Sequence, residues 1–148
     1  MPGRIMAIDF GLKRLGVAVS DPLGAVAQGL PTIERKNIAA DLSAVGALIE
    51  KYSVREIVLG HPLSKDGSAN AMSVRVEEFA AKLRKRVSCP VRLQDERLTS
   101  AEAERVLRES GVSLAKRRRA VDQVAATLIL EGYLDRQAYA SRGDVDKP

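Results

Sequence analysis

The sequence predicts one α/β domain with a mixed β-sheet flanked by helices. Short runs rich in Ile and Val, separated by a tight turn, open the chain as antiparallel strands do. After them, stretches with helical spacing of apolar residues alternate with short apolar runs, which is typical of strands reached through helical crossovers. No repeat or Pro/Gly-rich linker divides the 148 residues, and ~100–200 residues is the usual length of one domain. The domain is predicted to span residues 1–140, before a short polar tail at residues 141–148.

The first predicted elements are strands. Arg4–Phe10 and Arg14–Ser20 are apolar runs joined by Gly11-Leu12-Lys13, which predicts a tight antiparallel hairpin. Ala25–Ile33 is predicted to add a third strand. Ile57–Gly60 is a continuous apolar run, as expected of a strand that is covered on both faces.

Helices are predicted between and after these strands. Apolar residues recur at helical spacing from Ile38 to Tyr52, and Asn37 is suited to cap that helix. A second helix is predicted over Met72–Leu83, and Pro90–Asp95 is predicted to be the next strand.

The last part of the chain predicts two more helices. Thr99 and Glu102 have the spacing of a capping box, and Gly111 is suited to end the short helix that they begin. A final helix is predicted from about Arg118 to Tyr139. Its predicted buried residues are Val121, Val124, Ala125, Leu128 and Ile129.

Composition excludes several classes of protein. The chain is 45% hydrophobic and 29% charged, which disfavours intrinsic disorder. No apolar stretch approaches the about 20 residues that cross a bilayer, and the start resembles no secretory signal. A cytoplasmic location without a membrane partner is therefore expected. Cys89 is the only cysteine, which excludes an intrachain disulfide and a cysteine zinc site.

Charge is concentrated in one segment of the sequence. The chain carries a net charge of +5, yet the segment Lys82–Arg119 alone has twelve basic and five acidic residues. Such a segment is either a solvated surface or a contact for a polyanion, in which phosphate contacts dominate affinity. With no Trp, two Phe and three Tyr, stacking on bases is disfavoured. A nucleic acid is expected to be bound by its backbone and shape.

Three stretches hold acidic residues where a packed fold disfavours them. Asp9 lies inside the first apolar strand, where burying a lone carboxylate is costly. Asp95 and Glu96 end another strand, and Asp122 lies on the apolar face of the last helix. Taken singly, each suits a turn, a salt bridge or a helix terminus. Together they suit Mg²⁺, which prefers oxygen ligands, and two such ions could activate water against a phosphodiester.

Other motifs carry weaker signals. The glycines of Asp9-x-Gly11-x-x-x-x-Gly16 suit either an ordinary turn or a close approach of phosphate. His61, the only histidine, follows a buried strand, and a structural or substrate-contact role is favoured over a catalytic base. The cationic run Lys116–Arg119 precedes Asp122, which favours phosphate positioning over a merely solvated helix end.

Taken together, these motifs resemble the YqgF family, also called RuvX, over roughly Ile5–Leu134. Members of that family are described as Holliday junction resolvases and as pre-16S rRNA nucleases with a ribonuclease H-like fold. The motifs that carry the resemblance are Asp9-Phe10-Gly11, Lys13-Arg14-x-Gly16-Val17-Ala18, Gly60-x-Pro62 with Gly67-Ser68, Asp95-Glu96-Arg97-Leu98-Thr99 and Asp122-x-x-Ala125-Ala126.

The resemblance implies a mixed five-stranded sheet, Mg²⁺ or Mn²⁺ as cofactor, and Asp9, Glu96 and Asp122 as metal-binding and catalytic acids. Strand alternation instead aligns Asp95 with the apolar positions of its strand, so Asp95 is kept as the alternative to Glu96. The residues expected to bind substrate are Lys13, Arg14, Arg97, Lys116, Arg117, Arg118 and Arg119.

The leading functional prediction is a metal-dependent nuclease acting on structured nucleic acid, with the 5′ end of 16S rRNA precursor as the expected substrate and ribosomal particles as an expected partner. A junction resolvase is the nearest alternative, and the sequence leaves monomer and homodimer open. An ATP-binding protein shares this kind of phosphate hairpin but needs two such domains, which the length disfavours. In a catalytically silent RNA-binding module, the acids would be structural.

Overall fold

The structure, a computed structural model, describes residues 3–95 and 124–138. The first range contains seven elements: β1 (Arg4–Phe10), β2 (Arg14–Ser20), β3 (Ala27–Glu34), α1 (Ile38–Tyr52), β4 (Val54–His61), α2 (Ala71–Arg86) and β5 (Val91–Asp95). Residues 124–138 form a further helix, α3. The predicted short helix before Gly111, the start of the predicted last helix and the tail lie outside the described residues. Within the described ranges, no helix is long and apolar enough to cross a membrane.

The five strands form one mixed sheet in the order β3-β2-β1-β4-β5. β2 pairs antiparallel with β1 and with β3, whereas β4 pairs parallel with β1 and with β5. The predicted sheet is confirmed. Because β1, β4 and β5 run in the same direction, their last residues meet along one side of the sheet, which we call the carboxyl edge.

The β1–β2 turn depends on a glycine. The backbone N–H of Gly11 donates to the carbonyl of Arg14 over 3.0 Å. A Cβ atom at position 11 would lie 2.5 Å from the same oxygen, which is closer than real Cβ atoms approach. The predicted hairpin is therefore confirmed, and its turn requires glycine at position 11.

Asparagine side chains begin α1 and α2. Asn37 accepts a hydrogen bond from the N–H of Ala40, as predicted, over 2.9 Å. Asn70 forms a reciprocal capping box with Ser73, and its amide also donates to the carbonyl of Pro62 over 2.7 Å. These contacts satisfy backbone groups that the first turn of a helix leaves unpaired. Both helix N-termini lie at the carboxyl edge, because α1 and α2 follow β3 and β4, which end there.

The sheet separates two apolar cores. Met6 and Ile8 of β1 belong to the core that α1 and α2 cover. Ile5 and Ala7, which alternate with them, belong to the core covered by α3. The two sides of the sheet are called here the α1/α2 face and the α3 face. The residues of α3 that are buried are Ala125, Ala126, Ile129, Leu130 and Leu134, whereas Val124 and Leu128, predicted to be buried, are half-buried.

α3 runs opposite to β1. The side-chain amide of Gln94, near the end of β5, donates to the carbonyl of Ile129 over 2.9 Å. Further along α3, the Tyr133 hydroxyl reaches Glu56 near the start of β4. The described N-terminal end of α3 is therefore directed toward the carboxyl edge.

A buried acid fixes α3 to the sheet at the end opposite the carboxyl edge. Glu56 is 6% exposed, accepts a hydrogen bond from the Tyr133 hydroxyl over 2.6 Å, and pairs with Arg92 of β5. A buried carboxylate is stable only when it is paired and hydrogen-bonded. Glu56 thus joins β4, β5 and α3.

Tyr133 makes the stability of this helix contact dependent on pH. Partial burial and the hydrogen bond to Glu56 raise the pKa of Tyr133 to about 12 from 10.0. The contribution of the neutral hydroxyl is complete below about pH 10 and is lost as pH rises toward 12. We expect Tyr133→Phe to lower the free energy of unfolding at pH 7 by about 1 kcal/mol, and the difference from wild type to shrink at pH 11. Urea unfolding at both pH values measures this, and an equal difference at both would contradict it.

Candidate active site

Asp9 lies at the carboxyl edge, one residue before the end of β1. Since side chains alternate along a strand, it shares the α3 face with Ile5 and Ala7. Asp9 is half-buried, and the first described residues of α3 are directed toward the same edge on the same face. The structure therefore places this predicted acid in a partly enclosed position.

Glycines flank Asp9 on both neighbouring strands. Gly16 of β2 is its antiparallel partner. On the other side, Ile8 pairs with Leu59, so Gly60 lies at the level of Asp9 on β4. Neither neighbour has a side chain that could cover the carboxylate. The sequence singled out both glycines, but only the strand register shows that they lie on either side of Asp9.

Gln94 of β5 pairs with Gly60 and so lies at the same level of the sheet as Gly16, Asp9 and Gly60. Its side chain is buried, and the bond to the carbonyl of Ile129 fixes the height of α3 above the sheet. Sequence reasoning missed Gln94. The only signal that could have found it is its polar side chain within an apolar strand.

Asp95 and His61 lie on the α1/α2 face. The two residues are paired at the ends of β5 and β4, and alternation gives them the face of Leu93 and Leu59. His61 Nε2 lies 3.4 Å from Glu77 Oε1 of α2. The structure thus separates Asp95 from Asp9 by the thickness of the sheet, and it places His61 against a helix as a structural role requires.

The other predicted site residues are only partly described. Lys13, exposed, and Arg14, half-buried, lie in and just after the turn that follows β1, at the carboxyl edge. Those outside the described residues are Glu96, Arg97, Lys116, Arg117, Arg118, Arg119 and Asp122.

A divalent metal fits the donor that the described residues supply. In residues 3–95 and 124–138, no three His, Cys, Asp or Glu side chains come together. Asp9 offers carboxylate oxygens, the donor type that Mg²⁺ and Mn²⁺ take, beside glycines that leave room for a ligand. Further ligands would have to come from the undescribed part of the chain.

Backbone dipoles favour anions at this edge. The N-termini of α1 and α2 face it, and each carries a partial positive charge. Phosphate groups are stabilised by such helix ends. The edge therefore suits a phosphate-containing substrate near a carboxylate.

Arg35 holds the end of β1 in place. Its guanidinium lies 4.5 Å from the centre of the Phe10 ring, donates to the carbonyl of Gly11 over 3.1 Å and pairs with Asp41 at 2.9 Å. Asp41 also accepts a hydrogen bond from the backbone of Lys36. The segment Phe10-Gly11 after Asp9 is thereby tied to the first turn of α1.

The fold is that of RuvC-like resolvases, a ribonuclease H-like fold. The structure of Thermus thermophilus RuvC superposes with a TM-score of 0.55 at 12% identity, covering 91% of this chain and 96% of that chain. The yeast mitochondrial Holliday junction resolvase Ydc2 gives a TM-score of 0.56 at 14% identity, over 93% of this chain and 80% of that chain. At such low identity these likenesses show the fold alone.

Sequence comparison identifies the family. A family model described as "RuvX: Holliday junction resolvase" matches residues 3–136. Proteins named "Putative pre-16S rRNA nuclease" are 52% identical in Koribacter versatilis, over 91% of this chain and 88% of the relative, and 52% identical in Moorella thermoacetica, over 90% and 95%. The chain therefore belongs to the RuvX family of nucleases, as the sequence motifs indicated.

Substitutions at Arg35 and Asp41 test whether this ion pair holds the end of β1 in place. Arg35→Ala leaves the carboxylate of Asp41, 1% exposed, without its ion-pair partner. Because an unpaired buried charge is costly, we expect a loss of about 3 kcal/mol in the free energy of unfolding, measured in urea. Adding Asp41→Asn should recover part of that loss. Lys36→Ala is the matched control, with a change within about 0.5 kcal/mol; an equal loss there would contradict the role of Arg35.

Proposed function

We propose that this chain is a divalent-metal-dependent nuclease that hydrolyses phosphodiester bonds in structured nucleic acid, with the 5′ end of 16S rRNA precursor as its substrate. The observation that carries the proposal is the half-buried Asp9 at the carboxyl edge, flanked by Gly16 and Gly60 on the face of the sheet that α3 covers. We further assign the nuclease domain to residues 1–140, with 141–148 as a polar tail, and the protein to the cytoplasm.

Asp9, Glu96 and Asp122 are the proposed metal ligands and catalytic acids. The end of α3 directed at the carboxyl edge is only two residues from Asp122 in the chain, which supports its approach to Asp9. Asp9, Glu96 and Asp122 would hold Mg²⁺ or Mn²⁺, and the bound ions would supply activation of a water and stabilisation of the leaving oxygen. Asp9 is held for this role by β1, which is hydrogen-bonded on both sides within the sheet.

Glu96 is preferred to Asp95 because of the faces of β5. Gln94 lies on the α3 face and Asp95 on the α1/α2 face. By alternation, position 96 is the next candidate for the face of Asp9. Asp95 is separated from Asp9 by the sheet, so of these two neighbouring acids Glu96 is the one proposed to share a metal with Asp9.

Precursor rRNA is the proposed substrate because relatives covering nearly the whole chain carry that name. The charge of the chain agrees with RNA. The net charge is +5, and structured RNA is recognised largely through backbone contacts and shape. The proposed contacts at the edge are Lys13 and Arg14, with Arg97, Lys116, Arg117, Arg118 and Arg119 from the undescribed part; ribosomal particles are the setting for this cleavage.

Junction resolution is the second candidate. The matching family model is described as a Holliday junction resolvase, which is the observation in its favour. Cutting a four-way junction symmetrically requires two active sites about a two-fold axis, and hence a dimer. A monomer by light scattering that remains active would favour the rRNA substrate.

Asp9→Asn tests the catalytic proposal. We expect cleavage of labelled 16S precursor in Mg²⁺ or Mn²⁺ to fall at least about 100-fold, because the variant loses a carboxylate charge at the proposed metal site. EDTA should abolish wild-type cleavage, whereas RNA binding in EDTA should persist in both proteins. Four-way DNA junctions and plain duplexes, assayed in parallel, rank the substrates.

Three results would contradict this proposal. Equal cleavage by wild type and Asp9→Asn would indicate a contaminating nuclease. No cleavage of any substrate, with intact RNA binding, would favour the silent RNA-binding module. A preference for four-way junctions would assign the chain to resolution.

Substitutions at the neighbouring acids Asp95 and Glu96 test which of the two is the metal ligand. Glu96→Gln should reduce cleavage about as severely as Asp9→Asn, since both lose a ligand. Asp95→Asn removes a carboxylate from the opposite face and should keep cleavage within about threefold of wild type. The reverse order of effects, at matched thermal stability, would make Asp95 the ligand.

A further inference from the structure

A cleft opens on the α1/α2 face, away from Asp9. It holds about 170 Å³ and lies between the middle of α2, residues 75–82, and the start of α1. Its lining residues are Phe10, Arg35, Ile38, Arg75, Glu78, Phe79 and Lys82. Through Phe10, the residue after Asp9, the cleft begins at the carboxyl edge.

Two exposed cations form one wall of this cleft. Arg75 and Lys82 are seven residues apart on α2, so they share one face of the helix and are about 10 Å apart along its axis. Within the described ranges, neither forms an ion pair or a side-chain hydrogen bond. Glu78, also exposed, lies between them. These charged side chains therefore form a stripe along α2 that leads away from the carboxyl edge. Such a stripe suits an extended anion better than one small anion.

The aromatic floor of the cleft is already occupied. The Phe10 ring has the guanidinium of Arg35 above it at 4.5 Å and the ring of Phe79 at 5.1 Å. No free aromatic face remains in the cleft for a base, because Phe79 is 2% exposed. The groups of the cleft that are available to a ligand are therefore its positively charged side chains, which suit a phosphate.

The volume also limits the occupant. Pockets that enclose a small-molecule ligand measure about 300–1,000 Å³. A cleft of 170 Å³ is smaller than such pockets, so it suits the backbone of a polymer lying along its wall rather than an enclosed free nucleotide. The N-terminus of α1, which begins at Ile38 beside the cleft, adds its partial positive charge.

We propose that this cleft binds the phosphodiester backbone of the nucleic acid substrate, with Arg75 and Lys82 each neutralising one phosphate of a segment that passes over the carboxyl edge from the scissile bond. The assignment rests on the proposed nuclease function for the identity of the polymer. Asp9 and the cleft lie on opposite faces of the sheet at its carboxyl edge. A nucleic acid strand that is bound to both must therefore cross that edge.

Salt-dependent binding tests the cleft without requiring cleavage. The probe is a labelled 5′ fragment of 16S precursor RNA, bound in EDTA between 50 and 300 mM KCl to full-length protein carrying Asp9→Asn. Replacing Arg75 and Lys82 by Gln should weaken binding at least about tenfold at 100 mM KCl. It should also reduce the slope of log affinity against log salt by about 1.4, since each single-strand phosphate contact contributes about 0.7.

Lys51 and Lys85 provide the matched control. They are exposed cations in the last turns of α1 and α2, away from the carboxyl edge. Replacing both by Gln removes the same charge and should leave the slope within about 0.3 of its starting value. Glu78→Gln should strengthen binding about two- to fivefold by removing a repulsive charge from the wall, whereas Glu50→Gln at the far end of α1 should not.

Equal slopes for the two double variants would overturn the cleft as a phosphate site, because only net charge would then matter. Unchanged binding by Glu78→Gln would do the same. Thermal melting establishes that each variant is folded. If the cleft variants behave as expected but the wild type cleaves no substrate, the backbone site stands and the proposed nuclease function fails.

Discussion

Parallel pairing of β4 with β1 and with β5 is the constraint on which the arrangement of this protein depends. It aligns three strand ends at one edge and requires each connecting segment to return across a face of the sheet. The helices that make these returns begin at the same edge, capped by Asn37 and Asn70. Acidic side chains from the strands and the positive ends of α1 and α2 are thereby brought to the same edge.

Alternation along the strands divides this edge into two surfaces with different chemistry. On the α3 face, Asp9 lies between Gly16 and Gly60 of the neighbouring strands. On the α1/α2 face, Phe10 carries Arg35 and borders a cleft with a cationic wall. Adjacent residues of β1 thus serve opposite sides. A polymer can contact both sides at once, whereas a small substrate cannot, which fits a nuclease better than a nucleotide-binding enzyme.

Polar groups buried elsewhere keep the edge in its geometry. Asp41 is tied to Arg35, and Glu56 to Tyr133 and Arg92. Each pair joins elements that the apolar cores alone would allow to slide. Apolar burial gives the sheet its stability, but it is not directional, and the hydrogen bonds of these carboxylates specify the register between helix and sheet.

Much of the fold could be predicted because its signals are local. The Ile and Val runs, the Gly11 turn and the cap at Asn37 depend on residues close together in the chain, and the hairpin and α1 follow them. The prediction of the buried residues was less accurate for the last helix. Helical spacing selected Val124 and Leu128, yet Ala126 and Leu134 are more fully buried against the sheet. Spacing alone does not show how a helix is rotated on its sheet.

By itself, then, the sequence determined the α/β class, the order of the strands and helices, the family, and Asp9 as an acid in an apolar strand, since these depend on composition, periodicity and short motifs. Tertiary structure decided that Gly16 and Gly60 flank Asp9, that Asp95 lies on the other face, and that Arg35, Arg75 and Lys82 share a cleft with Phe10. The reason is strand register and helix packing: both juxtapose residues that are distant in the chain, and no local pattern records those distances.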